Sequence, residues 1–295
     1  MSRLPFLSTI GQAFAVLASC PGKILFWMLG PLLFSLAAVG IGGGFFWYSH
    51  KWWTAAPFGV LAVYFWMPFY IRLNQLAVLG RVEPGRYIDK IFDDQSIRCF
   101  KYVCLTAAIS LAGMGMAAAP ALIHGLRHGF DSTNGTLALA ISVGMVLFVV
   151  FLVLFAPMHL IYPAVSVEAA PSLGRAYSLG AGNKLRLFAA MTAVQMLFAV
   201  LSRLVDAVGG AFCGSDKMPQ MLWLTPLHVT MGFFSNVLNM IVPAVAYRFF
   251  RNMPDPFAPQ QRARQASPAG TPASRPPGEN APGESKEQPP SFEER

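Results

Sequence analysis

Two histidines and an aspartate form the segment of the chain best suited to metal chemistry. His124, His128 and Asp131 are spaced i, i+4 and i+7, which places them on one face if the preceding helix continues through them. Imidazole and carboxylate groups arranged in this way bind transition metals. Against this, Gly125 and Gly129 weaken a helix, and polar residues are ordinary in an aqueous turn. A metal-dependent envelope enzyme using His124 and His128 is therefore an alternative only, and no cofactor is expected.

Polar residues inside apolar segments form a second candidate site. Five of them lie in the last two apolar segments: Gln195, Arg203, Asp206, His228 and Asn236. If these segments form a hairpin, Gln195 lies at the depth of Asn236, and Arg203 lies at the depth of His228. Ionisable groups inside a membrane are costly unless they are paired, so they are candidates for function. Arg203 and Asp206 also suit a structural ion pair near the outer interface, and this interpretation is preferred.

No motif of a known catalytic class accompanies either group. The chain contains no GxSxG, HExxH or Walker A sequence, and no paired carboxylates inside an apolar segment. The sequence therefore predicts that the protein is not an enzyme.

The elements that must position these residues are long and apolar. Hydrophobic residues make up 55% of the 295 residues and charged residues only 12%, whereas globular domains carry about 25% charged residues. Within residues 137–163, His159 is the only acidic or basic residue. Such a run crosses a hydrocarbon core of roughly 30 Å, for which about 20 apolar residues suffice. The chain is therefore expected to be an all-α, polytopic membrane protein.

Six transmembrane helices in three hairpins are expected within a domain of residues 1–251. The predicted spans are at about residues 24–47, 55–71, 102–123, 137–163, 188–208 and 223–249. Amphipathic segments that suit interfacial helices precede the odd-numbered spans, at residues 4–20, 87–100 and 172–188. No span shows the paired Gly/Pro interruption at its middle that marks a transporter binding site. Residues 252–295 are rich in Pro, Gly, Ser and Glu and are expected to form a disordered cytoplasmic tail.

Basic residues fall mainly on one side of this predicted domain. Of the 22 Lys and Arg residues, 18 lie in the ends and connectors assigned to the inside, 3 lie in outer turns, and Arg203 lies in a span. When the tail and the end of the last span are left out, 11 basic residues lie on the inside and 3 on the outside. The positive-inside rule thus predicts a bacterial inner-membrane protein with both termini in the cytoplasm. Because the charges lie in short connectors and form no single basic face, nucleic acid is not an expected partner.

The start of the chain admits a second interpretation. Leu17-Ala18-Ser19-Cys20, after an apolar run, resembles the lipidation site of a bacterial lipoprotein. Cleavage before Cys20 would invert the topology of every later span. The charge distribution opposes this interpretation, so an interfacial helix at residues 4–20 is preferred.

The connectors after the second and fourth spans resemble those of known membrane proteins. The first runs Arg72-Leu-Asn-Gln-Leu-Ala-Val-Leu-Gly80, and the second runs Tyr162-Pro-Ala-Val-Ser-Val167, followed by Ser172-Leu-Gly-Arg-Ala-Tyr177. Similar segments occur in bacterial inner-membrane proteins related in layout to the YciC-like families and to the membrane domain of some glycerophosphodiester phosphodiesterases. The resemblance covers roughly residues 5–250 in layout and implies a membrane fold. It implies no catalytic residues, and none of the sequence corresponds to the soluble phosphodiesterase domain.

These observations predict a protein that acts through lipid or protein contacts, in a structural or assembly role. The connector residues expected to contact anionic lipids are Arg72, Arg81, Arg86, Lys184 and Arg186. Membrane lipids are the expected partners, together with a protein partner or a second copy of the chain. A transporter of a small or lipid-like solute is the alternative. It requires the polar residues of the last two spans to face an internal cavity.

Overall fold

The computed structural model describes residues 3–128, 135–213 and 217–257, apart from the side chains of 128, 135, 210–213 and 217–223. The described residues form helices and connecting turns, with no β-strand among them. Six of the helical segments are long and apolar enough to cross a membrane. The chain is thus an all-helical protein with the character of a multi-pass membrane protein, as its composition predicts.

The N-terminal helix packs against the later helices. Helix α1, Phe6–Ser19, corresponds to the predicted helix at residues 4–20, and it contacts the last two long helices of the chain. Its buried residues, Thr9, Ala13 and Val16, recur at i, i+4 and i+7, so small side chains form the contact face. Leu7 points away from the protein and is 79% exposed. Pro21 then begins α2, Pro21–Ser49, which contains the first predicted span.

The second predicted span is interrupted. Helix α3, Ala56–Tyr64, ends shortly before α4, Met67–Leu79. Pro68 explains the break, because it has no N–H to donate to the carbonyl four residues earlier. Helix α4 continues past residue 71, the predicted end of this span, to Leu79 and ends at Gly80 in the left-handed conformation (φ 69°). The helix continues because its last two turns are buried against other helices, at residues 73–78.

The connector before the third span is shorter and more ordered than predicted. The expected interfacial segment at residues 87–100 consists of a short helix, α5 (Tyr87–Ile91), and the first two turns of α6 (Asp94–His128). Tyr87 donates a hydrogen bond to the carbonyl of Phe65, and Tyr64 donates one to the carbonyl of Ile91 over 2.5 Å. The connector is thereby attached to the break between α3 and α4.

The fourth span is also interrupted. Helix α7, Gly135–Phe155, passes into a 3-10 turn at Ala156–Leu160 and then into α8, Ile161–Val167. Pro157 lies in the turn, where its missing N–H favours the break. Two spans therefore carry a proline at a local break of the α-helix, in each case near the end of the predicted span and not at its middle. The expectation that no paired interruption lies at the middle of a span stays a prediction.

Three further helices complete the described part: α9 (Leu173–Gly180), α10 (Lys184–Cys213) and α11 (Lys217–Phe250). Helix α11 is central. Half of its most apolar window is buried within the protein, against 11–22% for the other five candidate spans. It contacts α1, α4, α8 and α10, so these helices surround it.

The chain remains packed beyond the predicted domain boundary at residue 251. Phe257 is buried, and Asp255 forms an ion pair with Arg248 over 3.2 Å. Arg248 is itself buried, and it also donates hydrogen bonds to the Ala77 carbonyl (3.0 Å) and to Oε1 of Gln12 (2.9 Å). The packed part therefore extends to Phe257, while the rest of the predicted disordered tail lies outside the described residues.

The contact between α6 and α7 provides a stability test. A Cβ atom added at Gly144 would lie 2.3 Å from the backbone oxygen of Ala117, so the helices would have to separate. We expect Gly144→Ala to lower the free energy of unfolding by about 1–3 kcal/mol, the usual cost of overpacking. The matched control is Gly115→Ala, since Gly115 has open space around it and alanine favours a helix. Equal stability of the two variants in a detergent unfolding titration would contradict this close packing.

Candidate functional site

A cavity of about 550 Å³ lies among the long helices. Its volume falls within the roughly 300–1,000 Å³ range of small-molecule pockets. The apolar part of its wall comes from α3, α6, α7, the turn after α7, α10 and α11. It consists of Val63, Val103, Leu152, Phe155, Ala156, Phe188, Met191, Met240 and Pro243. We call this space the intramembrane cavity.

The remaining wall residues of the intramembrane cavity are polar but lack a formal charge at neutral pH, histidine being counted as neutral. They are Tyr70, Asn74, His159, Tyr162, Thr192, Gln195, Asn236 and Asn239. Among the described residues that form the wall, none is Asp, Glu, Lys or Arg. The cavity therefore offers hydrogen bonds within apolar surroundings, which is the usual composition of a site for an amphipathic molecule.

Both interrupted spans contribute polar side chains to the intramembrane cavity at equivalent positions. Tyr70 lies two residues after Pro68, and His159 lies two residues after Pro157. The His159 ring packs edge-on against Phe155, with 5.4 Å between ring centroids. Broken helices that point their ends at a cavity form the binding sites of many transporters, because the freed backbone needs a polar environment.

Two asparagine side chains in the wall have hydrogen-bonding capacity that the protein does not use. Asn74 is 2% exposed, and its Nδ2 donates to the Tyr70 carbonyl over 2.8 Å. Its Oδ1, and Oδ1 of Asn239, are buried without a hydrogen-bond partner in the described part of the chain. Leaving such an acceptor unpaired costs about 1–3 kcal/mol. Both oxygens lie behind the cavity surface, so a ligand that donates hydrogen bonds reaches them only after the asparagine side chains rotate toward the cavity.

Two of the five predicted intramembrane polar residues belong to this cavity. Gln195 and Asn236 both line it, and both side chains are exposed. The transporter hypothesis requires all five residues to face an internal cavity, so only part of that requirement is met. Gln195 Oε1 accepts a hydrogen bond from Ser235 over 3.3 Å, which joins α10 to α11 beside the wall.

The other three residues lie away from the intramembrane cavity. His228 binds Asp206 through Nε2 (3.0 Å) and the Leu224 carbonyl through Nδ1 (2.7 Å). Arg203 is exposed and has no ion-pair partner in the part of the chain described. The preferred Arg203–Asp206 pair is therefore wrong. Asp206 is instead paired with His228 across the contact between α10 and α11.

Of the five basic residues predicted to contact anionic lipids, two lie together in one cleft and three do not. Arg72 and Arg86 line a second cleft of about 560 Å³, together with Phe26, Trp27 and Tyr87. Arg72 donates a hydrogen bond to the Gly85 carbonyl over 2.6 Å. The three other residues are not part of this cleft: Arg81 is exposed, Lys184 lies over the Tyr177 ring, and Arg186 donates to the Leu4 carbonyl.

Lys90 joins two carboxylates in the connector near this cleft. Its Nζ lies 3.2 Å from both Glu83 and Asp93. Burial raises the pKa of Asp93, but hydrogen bonds from Lys90 and from backbone amides outweigh this and hold the pKa below its ordinary 3.8. Burial lowers the pKa of Lys90, but the two carboxylates outweigh it and hold the pKa above 10.5. The connector is therefore held together over the whole neutral range.

This bridge predicts a pH-dependent difference between the wild type and Lys90→Met. The depressed pKa of Asp93 makes its contribution present above pH 3.8 and lost as the pH falls through the folded-state pKa. The raised pKa of Lys90 makes its contribution present below pH 10.5 and lost as the pH rises further. Because all three groups are partly exposed, we expect the variant to lose about 1 kcal/mol or less between pH 5 and 9. Thermal unfolding should show this difference shrinking as the pH falls below 3.8, and a difference that stays constant down to the acid limit of folding would contradict the bridge.

The predicted metal site is described only in part. His124 Nε2 lies 2.6 Å from the hydroxyl of Thr136, which joins the ends of α6 and α7. The His128 side chain and Asp131 lie outside the described residues. Among the residues described, no three His, Cys, Asp or Glu side chains come together in a way that would hold a metal ion.

Comparison of the chain with protein-family models, with curated proteins and with solved structures finds no match. The function must therefore be inferred from the site itself. Its wall includes Tyr70, Asn74, His159, Tyr162 and Asn239, which the sequence analysis did not identify as site residues. A polar residue two positions after a proline inside an apolar span was the available signal for Tyr70 and His159.

Proposed function

We propose that this protein binds a lipid-like molecule in the intramembrane cavity and acts through binding, not through catalysis. The observation that carries the proposal is the cavity itself. It combines about 550 Å³ of space with an apolar wall and a set of uncharged polar side chains. A molecule that reaches such a site must tolerate hydrocarbon surroundings and must also form hydrogen bonds.

The membrane setting that we propose is the inner membrane of a bacterium, with six spans in three hairpins and both termini in the cytoplasm. The excess of basic residues in the inner connectors supports this orientation. The cleft with Arg72 and Arg86 would then face the anionic inner leaflet, where each basic residue contributes about 1 kcal/mol of attraction. The resemblance of the connectors after the second and fourth spans supports the YciC-like families as relatives, which we propose.

Transport of the bound molecule is a second candidate function. The two proline-interrupted spans favour it, because both contribute to the wall of the intramembrane cavity. Discontinuous helices around a central site are typical of proteins that open alternately to the two sides of a membrane. Movement of a labelled lipid from one leaflet of proteoliposomes to the other would favour transport. Saturable binding of the lipid without such movement would favour a binding role.

Native mass spectrometry of the protein released from its own membrane tests the proposed function. We expect a stoichiometric lipid-like molecule that survives removal of detergent, and its mass would identify the class. A spectrum of the bare chain after gentle release, or of the chain carrying only a metal ion, would contradict the proposal. The same spectrum reports whether the chain is associated with a second copy or with another protein.

A further inference from the structure

We infer that the intramembrane cavity selects a neutral lipid whose head carries a free hydroxyl group and discriminates against phospholipids with a charged head. This inference rests on the proposed function and specifies the ligand class. Diacylglycerols are the simplest members of the class, because they combine two acyl chains with one hydroxyl.

The charge of the wall is the first reason. Among the described residues that form it, none is Lys, Arg, Asp or Glu, so an ionised phosphate would enter without a permanently charged partner. Burying a charge without such a partner is strongly unfavourable in apolar surroundings. By contrast, the second cleft carries Arg72 and Arg86 together with one carboxylate, Glu83, so its charged residues sum to a positive charge. The two spaces therefore differ in the charge that they accept.

The unpaired acceptors are the second reason. Asn74 on α4 and Asn239 on α11 belong to helices in direct contact, and Oδ1 of each is buried without a partner in the described structure. In the proposed complex, one of these side chains rotates so that its oxygen faces the cavity and accepts a hydrogen bond from the lipid hydroxyl. Ester carbonyls only accept, so a lipid with esters alone leaves both oxygens unpaired. Discrimination should therefore depend on the hydroxyl hydrogen.

The apolar wall is the third reason. Phe155 and Phe188 present flat rings, and Met191 and Met240 present flexible thioether side chains. Methionine adapts its shape to irregular apolar partners, which suits acyl chains of variable length and unsaturation. The wall thus places few demands on the chains, and the head group determines the selectivity.

Three probes with identical oleoyl chains test the inference on the full-length protein in detergent micelles. They are 1,2-dioleoylglycerol, its O-methyl ether, and dioleoyl phosphatidate, each titrated and measured by native mass spectrometry. We expect dioleoylglycerol to bind at least tenfold more tightly than its methyl ether and at least tenfold more tightly than dioleoyl phosphatidate. Equal binding of the glycerol and the ether would overturn the hydroxyl requirement, and tighter binding of phosphatidate would overturn the neutrality requirement. Binding of none of the three would contradict the proposed function as well, so the two failures are distinguishable.

An asparagine variant assigns the preference to the wall. In the wild type, dioleoylglycerol should bind at least tenfold more tightly than its methyl ether. We expect Asn239→Leu to reduce this affinity ratio to below threefold, because leucine has a similar volume but no hydrogen-bond acceptor. Thr230→Val on the same helix is the control, since Thr230 bonds to its own helix at Pro226 and does not line the cavity. An affinity ratio unchanged in Asn239→Leu would show that Asn239 does not bind the hydroxyl group. The comparison of the three probes on the wild-type chain is independent of whether this variant folds.

Discussion

Replacing Arg248 with methionine is expected to lower the free energy of unfolding by about 3–5 kcal/mol, the usual cost of removing one partner of a buried ion pair. Arg248 is 3% exposed, and its guanidinium binds Gln12 of α1, the Ala77 carbonyl of α4 and Asp255 of the C-terminal segment. Methionine fills similar space but leaves all three acceptors without this donor.

Chemical unfolding in mixed micelles measures this change. Arg81→Met is the matched control, because Arg81 is exposed and a surface substitution away from special features usually changes stability by about 0.5 kcal/mol or less. Equal losses in the two variants would show that Arg248 does not hold α1, α4 and the C-terminal segment together.

Filling the intramembrane cavity is expected to abolish ligand retention. Thr192 on α10 lines the cavity, and a tryptophan at this position would occupy much of the space that the ligand needs. We expect Thr192→Trp to retain at least tenfold less of the co-purified molecule, a loss of about 1.4 kcal/mol or more in binding free energy.

A tryptophan on the outer surface of the same helix is the control. Val200 is exposed and does not line the cavity, so Val200→Trp should retain the ligand at the wild-type level. Both variants should elute as folded protein in size-exclusion chromatography. Full retention by a folded Thr192→Trp variant would place the ligand outside the cavity.

The membrane character of the fold was predictable because it depends on composition and run length alone. A run such as residues 137–163 has no stable alternative to a long apolar helix, so the number and approximate position of the spans follow from the sequence. The helix ends were less predictable. The second span was predicted to end at about residue 71, but the helix continues to Leu79 because contacts with other helices bury its last turns.

The breaks in the second and fourth spans were not predicted from the sequence. Proline is common in membrane helices, and its presence alone does not distinguish a continuous helix from an interrupted one. The sequence also contains an internal repeat, since Ile161-Tyr-Pro-Ala-Val-Ser-Val167 is similar to Ile241-Val-Pro-Ala-Val-Ala-Tyr247. Its prolines do not cause the breaks, because Pro163 lies inside α8 and Pro243 lies inside α11. The two segments belong to α8 and α11, which contact each other, and both contribute to the cavity wall, through Tyr162 and Pro243.

The candidate site was only partly predictable, because depth in a hairpin does not determine rotation about the helix axis. Depth matched Gln195 with Asn236, and both line the cavity. The same hairpin geometry placed Arg203 at the depth of His228, but His228 binds Asp206, which is three residues further along α10. Asn74 and Asn239 required knowledge of which helices are neighbours, and a single sequence does not contain it.

Mapping the ligand with a photoactivatable fatty acid tests the central claim most directly. Cells that incorporate a diazirine fatty acid into all of their lipids would express the protein, and irradiation would attach bound lipids to nearby residues for peptide mass spectrometry. The account predicts attachment within the cavity segments of α10 and α11, at residues 188–195 and 236–243, and its loss in Thr192→Trp. Attachment confined to outward-facing residues such as Leu139 and Val146, unchanged in Thr192→Trp, would contradict a lipid-binding cavity.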